Sequence, residues 1–164
     1  MTPEPVAERT GIAFRLRRRL SAPREDVFRA WTEPEALKRW WCPMGWVPAD
    51  VDIDLRVGGT YRIGMRRLGG GRPVYVRGRF LEVNSPEQLR YTWRWENAFE
   101  EMPHTQVTVQ FIDSGGTTDL VLTHENLPEI PICLRHRAGW IAALERMERI
   151  YALGDSRAPE CGRR

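Results

Sequence analysis

Seven short segments of alternating polar and apolar residues, set apart by glycine and proline turns, precede a single long stretch of helical periodicity. Alternation marks strands with one buried face, and short turns between successive strands mark an antiparallel sheet. The sequence therefore predicts an α+β fold: one antiparallel sheet, two short helices after its first strand, and a long helix at the C-terminal end.

The first strand is expected from Ile12 to Leu20, where Phe14, Leu16 and Arg18 alternate with Arg15, Arg17 and Arg19. Ser21, Pro23, Glu25 and Asp26 carry the cap, early proline and first-turn acids of a helix start. That helix buries Val27, Phe28 and Trp31. A second opens at Thr32, Glu33 and Pro34 and carries Leu37, Trp40 and Trp41 until Pro43 and Gly45 stop it. From Val47 to Leu55 the odd positions are apolar while Asp50, Asp52 and Asp54 face away, the pattern of a half-buried strand. Gly58 and Gly59 turn the chain into a strand from Thr60 to Arg67, with Tyr61, Ile63 and Met65 inward. The glycines at 69, 70 and 71 read as a hairpin loop, since no Lys-Ser/Thr follows them and no helix begins there.

Four more strands follow, from Val74 to Val83, Gln88 to Glu96, His104 to Ile112 and Thr117 to Glu125, with a loop from Phe99 to Pro103. Leu89, Tyr91, Trp93 and Trp95 share one face of their strand. Val107, Val109 and Phe111 share a face of the next, and Leu120 and Leu122 a face of the last. The terminal helix is expected from Pro131 to Leu153, stopped by Gly154, with His136, Trp140, Ala143, Leu144, Met147, Ile150 and Tyr151 as its apolar stripe.

Bulk properties narrow the function classes. The 164 residues suit one core, and 41% hydrophobic with 29% charged residues is the balance of a folded globular chain. No apolar run approaches the roughly 20 residues of a membrane span, and the polar N-terminus lacks a signal-peptide pattern, so a cytoplasmic protein is expected. Cys42, Cys133 and Cys161 are odd in number and lack zinc spacing; they read as free thiols. The net charge of +3 comes almost wholly from arginine, with Lys38 the single lysine. The arginines at 15, 17 and 19 read as a solvated sheet face, and nucleic acid is not expected as a partner.

No GxSxG, HExxH, GxGxxG or Walker motif is present, so neither a nucleotide cofactor nor a catalytic metal is expected. Asp50, Asp52 and Asp54 lack the spacing of a calcium loop. The aromatic residues are the more informative set. Tyr61, Trp93, Trp95, Phe111 and Trp140 fall on inward faces, with Trp40 and Trp41 on the second short helix, and by itself such a stripe is what a plain core looks like. His136 lies one helical turn before Trp140 and is the best placed of three histidines for proton chemistry. His124 and Glu125 point to opposite faces of one strand and cannot form a dyad, and His104 is given no role.

Five segments in order carry a resemblance: VFRAWTEPEALKRWWCP, DLRVGGTYR, GRFLEVNSPEQLRYTW, TDLVLTHENLP and HRAGWIAALERM, from about Phe14 to Leu153. They resemble the SRPBCC, or START-like, superfamily, and within it the activator of Hsp90 ATPase homologue family. The resemblance implies a helix-grip fold, in which a curved sheet wraps the last helix and leaves a cavity between them, lined by Tyr61, Trp93, Trp95, Phe111, His136 and Trp140 with Trp40 and Trp41 as its lid. It implies a domain over 12–154, with flexible segments at 1–11 and 155–164. Val57 stands where the family often has proline.

Three functions follow as expectations. Binding of an apolar or aromatic small molecule, such as a lipid or polyketide, ranks first. A protein-interaction module for Hsp90 or a homodimer partner ranks second, motivated by the family name and by exposure expected at Trp40, Trp41 and Trp46. The chain leaves no room for the extra N-terminal domain of eukaryotic co-chaperones, so direct stimulation of Hsp90 is not expected. An enzyme of the cyclase or aromatase kind, with His136 or Tyr61 moving a proton, ranks third.

Overall fold

The computed structural model describes residues 11–96 and 104–152. The segment before residue 11, the loop from Phe99 to Pro103, the helix stop at Gly154, and the tail with Cys161 lie outside the described residues.

Seven strands form one antiparallel sheet: β1 (Ile12–Leu20), β2 (Trp46–Ile53), β3 (Thr60–Arg67), β4 (Val74–Asn84), β5 (Gln88–Glu96), β6 (Thr105–Asp113) and β7 (Thr118–Leu127). Their order is β1-β7-β6-β5-β4-β3-β2, so six strands run as a meander and the first returns to pair with the last. Helices α1 (Arg24–Thr32) and α2 (Pro34–Leu37) connect the two edge strands, and α3 (Ile130–Ala152) closes the chain. The predicted α+β class, the antiparallel sheet and the long terminal helix are all present.

The buried face of the sheet follows strand parity. Leu16 and Leu20 of β1, Leu89, Tyr91 and Trp93 of β5, Val107, Val109 and Phe111 of β6, and Leu120 and Leu122 of β7 are buried. His136, Trp140, Ala143, Leu144, Met147 and Tyr151 of α3 meet that face, while Ile150 is half-buried. Bulges interrupt β2, β4 and the C-terminal end of β7, and bulged strands bend and twist more strongly, which curves the sheet. Gly78 of β4 leaves no room for a side chain: an added Cβ would lie 1.9 Å from the carbonyl oxygen of Thr92 on β5. Gly58 takes φ +83° in the turn between β2 and β3, a conformation costly for other residues.

Four local expectations change. The residue at the start of α1 is Pro23, without a side-chain cap, so Ser21 does not serve as one. The second helix is a single turn ending at Leu37, and Trp40 and Trp41 follow it in turn and coil. Leu55 lies beyond β2 and is exposed. The bulge in β2 falls between Pro48 and Val51, so Pro48 pairs with buried Met65 and Val47 with exposed Arg66. Paired residues share a face, so the inward positions are Trp46, Pro48, Val51 and Ile53, and the alternation from Val47 through Ala49 is out of phase. Ala49 packs outside, over Gly64 beside Tyr75.

Candidate functional site

A cavity of about 620 Å³ opens between α3 and the β3–β5 side of the sheet. From α3 it takes His136 and Trp140 together with Ala138, Gly139, Ala142 and Ala143. From the sheet it takes Met65 of β3 and Trp93 and Trp95 of β5, and the segment leading into β2 adds Trp41, Cys42, Pro43, Met44 and Trp46. Its origin is steric. Four of the wall positions on the helix, Ala138, Gly139, Ala142 and Ala143, are glycine or alanine, so the helix leaves space opposite the indoles. Met44, 87% exposed, stands at the mouth.

Five of the eight residues expected at a cavity are brought together here: Trp41, Trp93, Trp95, His136 and Trp140. Three are placed elsewhere. Trp40 is fully buried and donates its indole N–H to the carbonyl of Ala30 at 2.9 Å, fixing the turn after α2. Phe111 packs edge-on against Phe28 and Trp31 under α1. Tyr61 borders a much smaller void with Trp41, Phe80 and Tyr91 and donates its hydroxyl to the carbonyl of Thr92. Burial, with nearby Tyr91 adding to it, holds the Tyr61 hydroxyl well above its ordinary pKa, so it stays protonated. Trp41 borders both spaces and separates them.

Sequence reasoning missed Trp46 as a wall residue, because it fell before the strand expected from Val47 and was expected to be exposed; the strand starts at Trp46, and the β2 bulge turns it inward. It also passed over His124, which lies two residues after Leu122 on the same inward face and is completely buried. Parity alone could have found it.

His124 and His136 stand edge to face, ring centres 5.2 Å apart, and their bonds fix both tautomers. His136 Nδ1 lies 2.8 Å from the carbonyl oxygen of Ile132. A carbonyl only accepts, so the proton is on Nδ1, and Nε2 accepts from the indole N–H of Trp95 at 3.0 Å. His124 is the reverse. Its Nδ1 accepts from the Trp140 indole at 3.2 Å, so its proton is on Nε2 and is donated to Thr105 Oγ1 at 2.8 Å. The Thr105 hydroxyl in turn donates to the carbonyl of Trp93 at 3.2 Å. Both rings are thus neutral with both nitrogens engaged. Burial drives the His124 pKa well below 6.5, and His136 opposite pushes the same way. His136 is lowered too, by burial, with its bond to Ile132 opposing.

Neutral imidazoles with both nitrogens occupied hold indoles in place; neither has a free lone pair with which to take a proton from a substrate. Cys42 in the same wall is pushed up to about 12 by burial, against a smaller opposing effect of Arg146, so it is a thiol and a poor nucleophile. Among the described residues no group of three or more His, Cys, Asp or Glu could hold a metal ion. No helix among them is long and apolar enough to cross a membrane.

The fold and sequence are shared with known structures. A protein from Chromobacterium violaceum is 33% identical, over 85% of this chain and 96% of its own, with a TM-score of 0.76. The AHSA1 protein of Silicibacter pomeroyi is 25% identical, over 88% of this chain and all of its own, at 0.74. An HSP90 activator from Plasmodium falciparum is 27% identical, over 88% and 97%, at 0.66. No curated protein matches the sequence. The family described as activator of Hsp90 ATPase homolog 1-like protein matches residues 21–152, and the chain belongs to that family.

Proposed function

We propose that the protein binds an apolar small molecule with a flat aromatic face in the cavity between α3 and the sheet. The observation that carries this reading is the wall itself: five indoles and one imidazole around about 620 Å³. That volume lies within the roughly 300–1,000 Å³ usual for small-molecule sites, which are mostly apolar with few polar groups. Indoles offer large rigid faces at little entropic cost. The hydrogen-bonded histidines support binding over proton transfer, because they lock Trp95 and Trp140 in one orientation and have no free nitrogen of their own.

The test is native mass spectrometry of protein purified from its own host, followed by a thermal-shift panel of lipids and aromatic compounds. The expected result is a stoichiometric apolar passenger or a panel compound that raises the melting temperature, lost in Ala142→Trp, which fills the cavity without removing its wall. Empty protein that no panel compound stabilises would reject this reading. An Hsp90 interaction is the second reading, supported by the 27% identity to an HSP90 activator. A pull-down with purified Hsp90 separates the two.

A further inference from the structure

The wall is uneven in its hydrogen bonding. Trp95 and Trp140 donate to imidazole nitrogens, and those bonds, with the links to Ile132 and Thr105, use all four nitrogens of His124 and His136. Trp93, only 4% exposed, differs: its indole N–H is shielded from solvent and has no hydrogen-bond acceptor among the described residues. Its ring lies among those of Trp41, Trp95, His124, His136 and Trp140, where a face-on N–H contact to a neighbouring ring is a weak substitute for an oxygen. A buried donor left unmatched is unfavourable, and nearly all such groups in folded proteins are paired.

Charge is equally one-sided. Among the described residues no carboxylate lines the cavity; Arg135, the cation in its lining, is exposed and already engaged, and the two ionisable groups beneath the surface, His136 and Cys42, are both held neutral by burial. The interior therefore offers an ammonium group nothing to balance it. It has an unmatched donor in Trp93 and no unused imidazole nitrogen to accept from a ligand hydroxyl.

Resting on the binding reading above, we infer that the preferred ligand is a neutral, flat aromatic molecule carrying a carbonyl oxygen, a quinone or aryl ketone in chemical class, whose oxygen accepts from Trp93 Nε1. Because that atom is closed to water, the oxygen enters on a body that displaces part of the wall. Met44 and Met65 are the unbranched, flexible members of the wall that can yield.

The test compares two probes of nearly equal shape, 9-fluorenone and fluorene, by calorimetric titration into the full-length protein. A neutral hydrogen bond to the carbonyl predicts roughly five- to tenfold tighter binding of fluorenone. That ratio is expected to fall to about one in Trp93→Phe, whatever happens to the absolute affinities. The carbonyl stretch of bound fluorenone is expected at lower frequency than in hexane, and this readout needs no variant. Equal affinity of the two probes for the wild type, or a preference that survives Trp93→Phe, overturns the inference while leaving the binding reading intact. Failure of fluorene, fluorenone and lauric acid alike to bind overturns both.

Discussion

Acid should destabilise this protein well above the pH at which carboxylates protonate, and His124 is the reason. In the unfolded chain a histidine titrates near 6.5; in the fold His124 is buried, donates one nitrogen to Thr105 and accepts from Trp140 with the other. Its folded pKa is depressed, so below 6.5 the unfolded state binds the proton and the folded state does not. Stability is then full above 6.5 and is lost as pH falls toward the folded pKa. The slope is about 1.4 kcal/mol per pH unit for each histidine held neutral, so about twice that while His136 also resists protonation. Against the typical 5–15 kcal/mol of total stability this is a large loss over one unit. Urea titrations followed by tryptophan fluorescence at steps from pH 7.5 to 5.0 measure it. In His124→Gln, whose amide can mimic both bonds, stability at pH 7.5 should drop modestly and the slope between pH 6.5 and 5.5 should fall by about half. A flat profile in the wild type, or a slope unchanged by the substitution, would show that His124 charges in place and would refute the neutral network.

Two further outcomes are expected. Gly78→Ala sets a methyl 1.9 Å from the Thr92 carbonyl oxygen; urea unfolding should show a loss of roughly 1–3 kcal/mol, toward the upper end because backbone cannot yield as a side chain can. Cys42, buried with its thiol raised to about 12, should resist iodoacetamide at pH 8 in folded protein and react in urea, as read by peptide mass mapping.

Strand parity carried most of the fold. The inward sets on β3, β5, β6 and β7 up to His124 follow from alternation because those stretches are regular and one face is covered by the helices or faces the cavity. It failed on β2 for a specific reason: a bulge between Pro48 and Val51 adds one residue, and everything before it changes face. No composition rule announces that bulge in VPADV. The error mattered because it moved Trp46 from a presumed exposed site to the cavity wall. The lid was misread differently. Trp40 and Trp41 are neighbours in sequence, but the chain has left the helix by then, so one indole is sealed under α1 by its bond to Ala30 and the other separates two spaces. Adjacent residues in irregular chain have no fixed angular relation, and their fates could not be assigned from spacing.

The cavity itself raises the question of what fills it. The space is open at Met44, so water or a ligand occupies it. Water there is poorly served: the imidazole nitrogens are taken and the unmatched Trp93 donor is closed to it. A tryptophan wall hydrated by water with few partners is a surface from which water leaves readily. The same hydrogen bonds that remove the histidines from proton chemistry thereby raise the gain on admitting an apolar guest. The imidazole pair thus favours binding twice, by orienting the indoles and by denying water its partners.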